Sequence, residues 1–188
     1  MGAHPRDAAA WTHRTALVLI PPGEVWPAIQ EVRRAHDRQF VRWMPHVTLL
    51  YPFAPRGELP ALLPALREAC AALAPFEARL GTFGRFTHRG GRTTLWLAPE
   101  PREAFVRLQA ALERAAPAYG HTSRFPGGFT PHLSVGQAPG HEAAALAAAL
   151  GACWRPLVFR VAEVQLIARE GERPFEVVER LRLGAPAA

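Results

Sequence analysis

The chain is expected to adopt an α+β fold with α/β-like layering, built as an internal duplication. Three observations lead to that expectation. Strand-like and helix-like stretches alternate along the sequence. The order strand, helix, strand, helix, strand occurs twice. One short motif recurs at the same place in both halves. The expected architecture is one bilobal domain over 1–188, with lobe-forming repeats at about 15–86 and 93–183. Two sheets with outer helices would then flank a central cleft on a pseudo-two-fold axis.

Each element has its counterpart. Residues 16–21 form an apolar run ending at a proline, and residues 94–99 have the same shape. A helical pattern follows each. Val25, Ile29 and Val32 share one face in the first half, and Phe105, Leu108 and Leu112 do so in the second. Next come the two motif strands, each trailed by an Ala-Pro pair (Ala54-Pro55 and Ala138-Pro139). Second helices follow. Pro60 sits near the start of one, where proline is tolerated, and the other is the alanine-rich run 143–150. Residues 75–80 and 156–161 read as equivalent strands. A last strand, about 175–183, is added after a turn around Gly171, and residues 88–92 read as a hairpin tip.

The motifs are Pro45-His46-Val47-Thr48-Leu49 and Pro131-His132-Leu133-Ser134-Val135. In a strand, alternate side chains share a face. His46 with Thr48, and His132 with Ser134, would stand on one face while the apolar residues pack beneath. Histidine is the side chain best suited to give or take a proton near neutral pH. A hydroxyl beside it can hold a phosphoryl oxygen. Two such strands across a cleft supply an acid, a base and two anion-binding hydroxyls. His13-Arg14-Thr15 and His121-Thr122-Ser123 share the spacing but lack the proline and the apolar neighbour, so they do not read as half-buried strands.

Composition narrows the function classes. All 22 basic residues are arginine. A ligase working through a lysyl-adenylate is excluded, as is a lysine-containing phosphate loop. The only aspartates are Asp7 and Asp37, which leaves a metallophosphodiesterase poorly supplied with ligands. His36-Asp37 has the form of a metal-binding pair, but its arginine-rich helical setting reads as a solvated helix face. Cys70 and Cys153 lack metal-type spacing and read as small core residues in a reducing compartment. The net charge of +6 favours an anionic partner, although a lysine-free, arginine-rich composition has its own coding-bias explanation.

The paired motifs in a duplicated chain of this size resemble the two-histidine (2H) phosphoesterase superfamily, which includes 2′-5′ RNA ligase-like proteins and cyclic phosphodiesterases. The resemblance runs from about residue 15 to 183 and is strongest at 43–53 and 129–135. It implies a bilobal fold and metal-independent, cofactor-free opening of a phosphodiester, usually a 2′,3′-cyclic phosphate. It assigns catalytic roles to His46 and His132 and phosphate binding to Thr48 and Ser134. Implied partners are RNA 2′,3′-cyclic phosphate ends or small cyclic nucleotides. Two other readings stay open: a non-catalytic RNA- or nucleotide-binding module, and cleavage or ligation of 2′-5′ linkages.

Further candidates flank the motifs. Arg42 and Arg124 precede them and are candidate phosphate clamps. Tyr51 is a candidate substrate contact, although odd-even counting puts it on the buried face unless the strand has ended. Trp43 and Phe129 suit a core or rim position better than base stacking. Residues 117–130 are a candidate lid, with His121 inside it. No apolar run approaches the ~20 residues of a membrane span. A cytoplasmic monomer is expected.

Overall fold

The computed structural model describes residues 10–120 and 127–184. In chain order the elements are β1 (Thr15–Leu19), α1 (Trp26–His36), β2 (Val47–Leu50), α2 (Leu59–Ala71), β3 (Phe76–Thr87), β4 (Arg92–Glu100), α3 (Arg102–Ala115), β5 (Leu133–Pro139), α4 (Gly140–Cys153), β6 (Leu157–Val161), β7 (Glu163–Ala168) and β8 (Glu176–Arg182). His121 and Arg124 lie outside the described residues.

The strands form one curled antiparallel sheet in the order β6-β3-β4-β5-β2-β1-β7-β8. This corrects the expectation of two sheets. The two motif strands, β2 and β5, are neighbours, and the register pair Val47↔Leu133 joins the halves into one sheet. Burial makes that seam firm. Val47, Leu49, Leu133 and Val135 are all fully buried, and each such side chain is stabilised by about 1.5–3 kcal/mol relative to exposure.

The two halves of the chain also interleave. β3, from the first half, pairs with β4 and β6 of the second. β7, from the second, pairs with β1 of the first and with β8. The sheet-order counterpart of β3 is therefore β7, whereas the sequence pairs 75–80 with 156–161. β7 went unseen because it is buried on both faces. Val164 and Leu166 enter one core cluster and Ile167 the other, with Gln165 buried between them. Such a strand shows no polar-apolar alternation.

All four helices contribute to the same core cluster as Leu17, Leu19, Val47 and Leu133, through Ile29, Leu66, Phe105 and Ala143 among others. The helices thus cover one face of the sheet and leave the motif histidines to the other. A hairpin joins β3 to β4, closed by the His88 N–H donating to the Arg92 carbonyl at 2.8 Å. Gly90 and Gly91 turn it at φ of 88° and 76°, angles that side chains resist. Cys70 is buried, and burial pushes its thiol up to about 12. Cys153 is exposed, not a core residue, because α4 turns that position away from the sheet. No described helix is long and apolar enough to cross a membrane.

Candidate active site

His46 and His132 sit just ahead of β2 and β5, one position outside the Val47↔Leu133 pair. Both are half-buried, as are Thr48 and Ser134, while the intervening apolar residues are fully buried. The alternation therefore places both imidazoles and both hydroxyls on the helix-free face. In antiparallel register, the positions flanking Val47↔Leu133 set His46 against Ser134 and Thr48 against His132.

The two rings are held alike. His46 Nδ1 lies 2.7 Å from the Met44 carbonyl oxygen, and His132 Nδ1 lies 2.9 Å from that of Thr130. A carbonyl only accepts, so each Nδ1 carries the hydrogen and donates it. Nε2 is left on each ring as the nitrogen that titrates. The intervening prolines, Pro45 and Pro131, explain the geometry. Each fixes its own φ and biases the residue before it to an extended backbone.

Both imidazoles resist protonation. Burial lowers the His46 pKa to about 4, the Met44 bond opposes that, and the charges of Arg33 and His132 lower it further. Burial also lowers His132, against the opposing bond to Thr130.

Aromatic rings back each histidine. Trp43 stacks on His46 at 4.6 Å between centroids and on Phe175 at 3.9 Å. Tyr51 meets Trp43 edge-on at 5.2 Å. β2 ends at Leu50, so odd-even counting no longer applies, and Tyr51 lies with Trp43 in the second core cluster. Its phenol is raised by burial, with Arg169 and Arg42 pulling it down. On the other side, Phe86 stands edge-on to His132 at 4.9 Å and stacks on Trp96 at the same spacing. The indole of Trp96 lies directly over Gly84, where a Cβ would collide with it. Phe129 packs against the main core.

A buried ion pair braces the first motif. The Arg33 side chain is 2 % exposed and that of Asp37 4 %, with Nη2 and Oδ2 2.9 Å apart. This corrects the solvated-face expectation for His36-Asp37. α1 presses so closely on β5 that a Cβ at Gly136 would meet the His36 side chain and backbone. Arg33 also donates to the Trp43 carbonyl at 2.8 Å and to Gln30 at 2.9 Å. Asp37 accepts from the Gln39 N–H and from Gln137. The sequence shows Arg33 only as one of several arginines, and nothing local marks it as buried. Arg42 stands at the rim with its guanidinium 2.5 Å from Glu172, so a carboxylate already engages it. Among the described residues, no group of three or more His, Cys, Asp or Glu side chains could hold a metal ion.

The helix-backed curled sheet, with twin histidine-hydroxyl pairs at its seam, has the layout of a 2H phosphoesterase. The family model of the 2′-5′ RNA ligase superfamily matches residues 21–173, and the chain belongs to that family. A phosphoesterase-named protein of Geobacillus kaustophilus is 26% identical over 132 residues, covering 67% of this chain and 70% of its own. The crystal structure of TT0787 from Thermus thermophilus is similar at a TM-score of 0.63 with 26% identity, covering 93% of this chain and 100% of that one. Escherichia coli LigT complexed with 3′-AMP has the same fold at a TM-score of 0.63 and 19% identity, covering 92% and 99%. Usb1 of Kluyveromyces marxianus shares it at 0.51 and 16%, again covering 92% and 99%.

Proposed function

We propose that this protein is a metal-independent phosphodiesterase that opens 2′,3′-cyclic phosphates on RNA ends or nucleotides. One observation carries the reading. Two imidazoles, each with Nδ1–H tied to a carbonyl two residues upstream, offer Nε2 on one sheet face beside two hydroxyls. Family membership supports phosphoester chemistry in general. A fold neighbour's crystal holds 3′-AMP, in keeping with a nucleotide substrate.

Water attacks phosphorus while one histidine takes its proton. The bond from phosphorus to one ribose oxygen breaks, and the other histidine protonates that oxygen. The product is a phosphomonoester. Thr48 and Ser134 donate hydrogen bonds to the non-bridging oxygens as charge builds there. Burial lowers both imidazoles, His46 to about 4. One imidazole starts neutral as the base and the other starts charged as the acid.

The test is a substrate panel with chelator present: 2′,3′-cyclic nucleotides, oligonucleotides ending in a cyclic phosphate, and 2′-5′ oligoadenylate. Turnover of cyclic phosphates is expected. Turnover confined to the 2′-5′ linkage would move the assignment there. Binding without turnover on all three would leave a nucleotide-binding module.

A further inference from the structure

A row of paired residues leads away from the first motif across the sheet. Thr48 on β2 pairs with Val18 on β1, Val18 with Gln165 on β7, and Gln165 with Arg180 on β8. Directly paired residues point to the same face. The row therefore lies on the face that carries His46 and Thr48. At a strand spacing of about 4.8 Å, Gln165 stands about 10 Å and Arg180 about 14 Å from Thr48.

The outer end of the row opens into a cavity of about 440 Å³, lined among others by Ile20, Trp26, Met44, Arg160, Val177 and Arg180. That volume is in the range of small-molecule sites. Met44 belongs to both places: its carbonyl fixes His46 Nδ1, and the residue lines the cavity. The floor is held in shape by Gln165, which accepts from the Ile20 N–H at 2.8 Å and donates to Glu163 at 3.0 Å. Arg180 is ion-paired with Glu163. Arg160 has no ion-pair partner among the described residues and is exposed. An apolar wall suits a nucleobase, and a guanidinium suits a phosphodiester.

We propose that this cavity is a second nucleotide subsite. It takes the nucleotide joined to the one whose cyclic phosphate is opened, with Arg160 on the connecting phosphate. The substrate class is then an RNA strand end rather than a free cyclic mononucleotide. The proposal rests on the phosphodiesterase reading above.

The experiment compares kcat/KM for adenosine 2′,3′-cyclic phosphate with that for a trinucleotide bearing the same terminus, at two salt concentrations. The trinucleotide is expected to be favoured at least tenfold, and less so at high salt. Arg160→Glu should remove that preference and leave the mononucleotide rate unchanged, while Arg155→Glu, exposed and outside the cavity, should keep it. Equal kcat/KM for both substrates in the wild type, or a preference that survives Arg160→Glu, overturns the subsite. In parallel, both ligands are titrated into His132→Ala protein. If neither substrate is turned over, the reaction reading falls. The titration then decides the subsite alone, upheld by tighter trinucleotide binding that Arg160→Glu abolishes and overturned by equal binding.

Discussion

Gln137 Nε2 donates to Asp37 Oδ1 at 3.2 Å, across 100 residues of sequence. The bond ties the end of α1 to the strand that carries the second motif. Asp37 holds Arg33, and Arg33 holds the Trp43 carbonyl, whose ring stacks on His46. One chain of contacts thus runs from β5 to the first imidazole.

Asp37→Asn should therefore act at a distance. It leaves the buried Arg33 cation without its carboxylate, and breaking such a pair costs about 3–5 kcal/mol. The Asp37 charge also favours the His46 imidazolium, so its loss should drive the His46 titration lower. Urea denaturation reads the first effect and NMR titration of the ring the second. A His46 titration that stays put or rises would refute the linkage.

The pH dependence has a definite sign. Both histidines are lowered from 6.5, His46 to about 4. The singly protonated pair of the free enzyme thus exists only on the acid side of 6.5. kcat/KM should be bell-shaped with its maximum between about 4 and 6.5, the limbs belonging to the pair. Bound phosphate favours imidazolium, so the kcat profile should lie at higher pH. A kcat/KM maximum above pH 7.5 would refute this.

Stability follows from the same shifts. The unfolded chain binds protons on these histidines that the folded chain refuses. Stability should fall as pH drops from 6.5 towards 4. His46→Gln should flatten that loss in denaturation curves taken across the window.

His46→Ala and His132→Ala should each reduce turnover of a cyclic phosphate by ~10²–10⁴-fold, the range for one positioned acid or base. The double variant should fall far short of the product of the two, since both groups serve one transition state. Thr48→Ala and Ser134→Ala should cost less, each removing one neutral donor. Near-native rates in both histidine variants, with the fold intact by circular dichroism, would leave a binding cleft only.

Chelation should leave the rate unchanged, because the sequence holds just two aspartates and no ligand cluster stands among the described residues. Activity lost in EDTA and restored by one divalent ion would point to metal chemistry instead.

The motif strands were legible because their pattern is local. Proline, histidine, apolar residue and hydroxyl define backbone and facing within five positions. The seam itself was not, since Val47↔Leu133 is a pairing between distant segments. β7 was hidden by burial on both faces, and Arg33 by the ordinary look of a helical arginine. The rings behind the histidines divide the same way. Trp43 sits three residues from His46 and was visible as a flanking aromatic. Phe86, Trp96 and Phe175 arrive from elsewhere in the chain and carry no mark of their destination.

The exchange of β3 and β7 between the halves has a consequence for how the molecule comes apart. Neither half of the chain contains all the partners of its own strands. A nick at the Gly90-Gly91 tip would leave β3 on one fragment with both of its neighbours on the other, and β7 with β1 across the same break. The fragments should stay clasped through native washing and separate only in denaturant. The intact chain should melt as one cooperative unit.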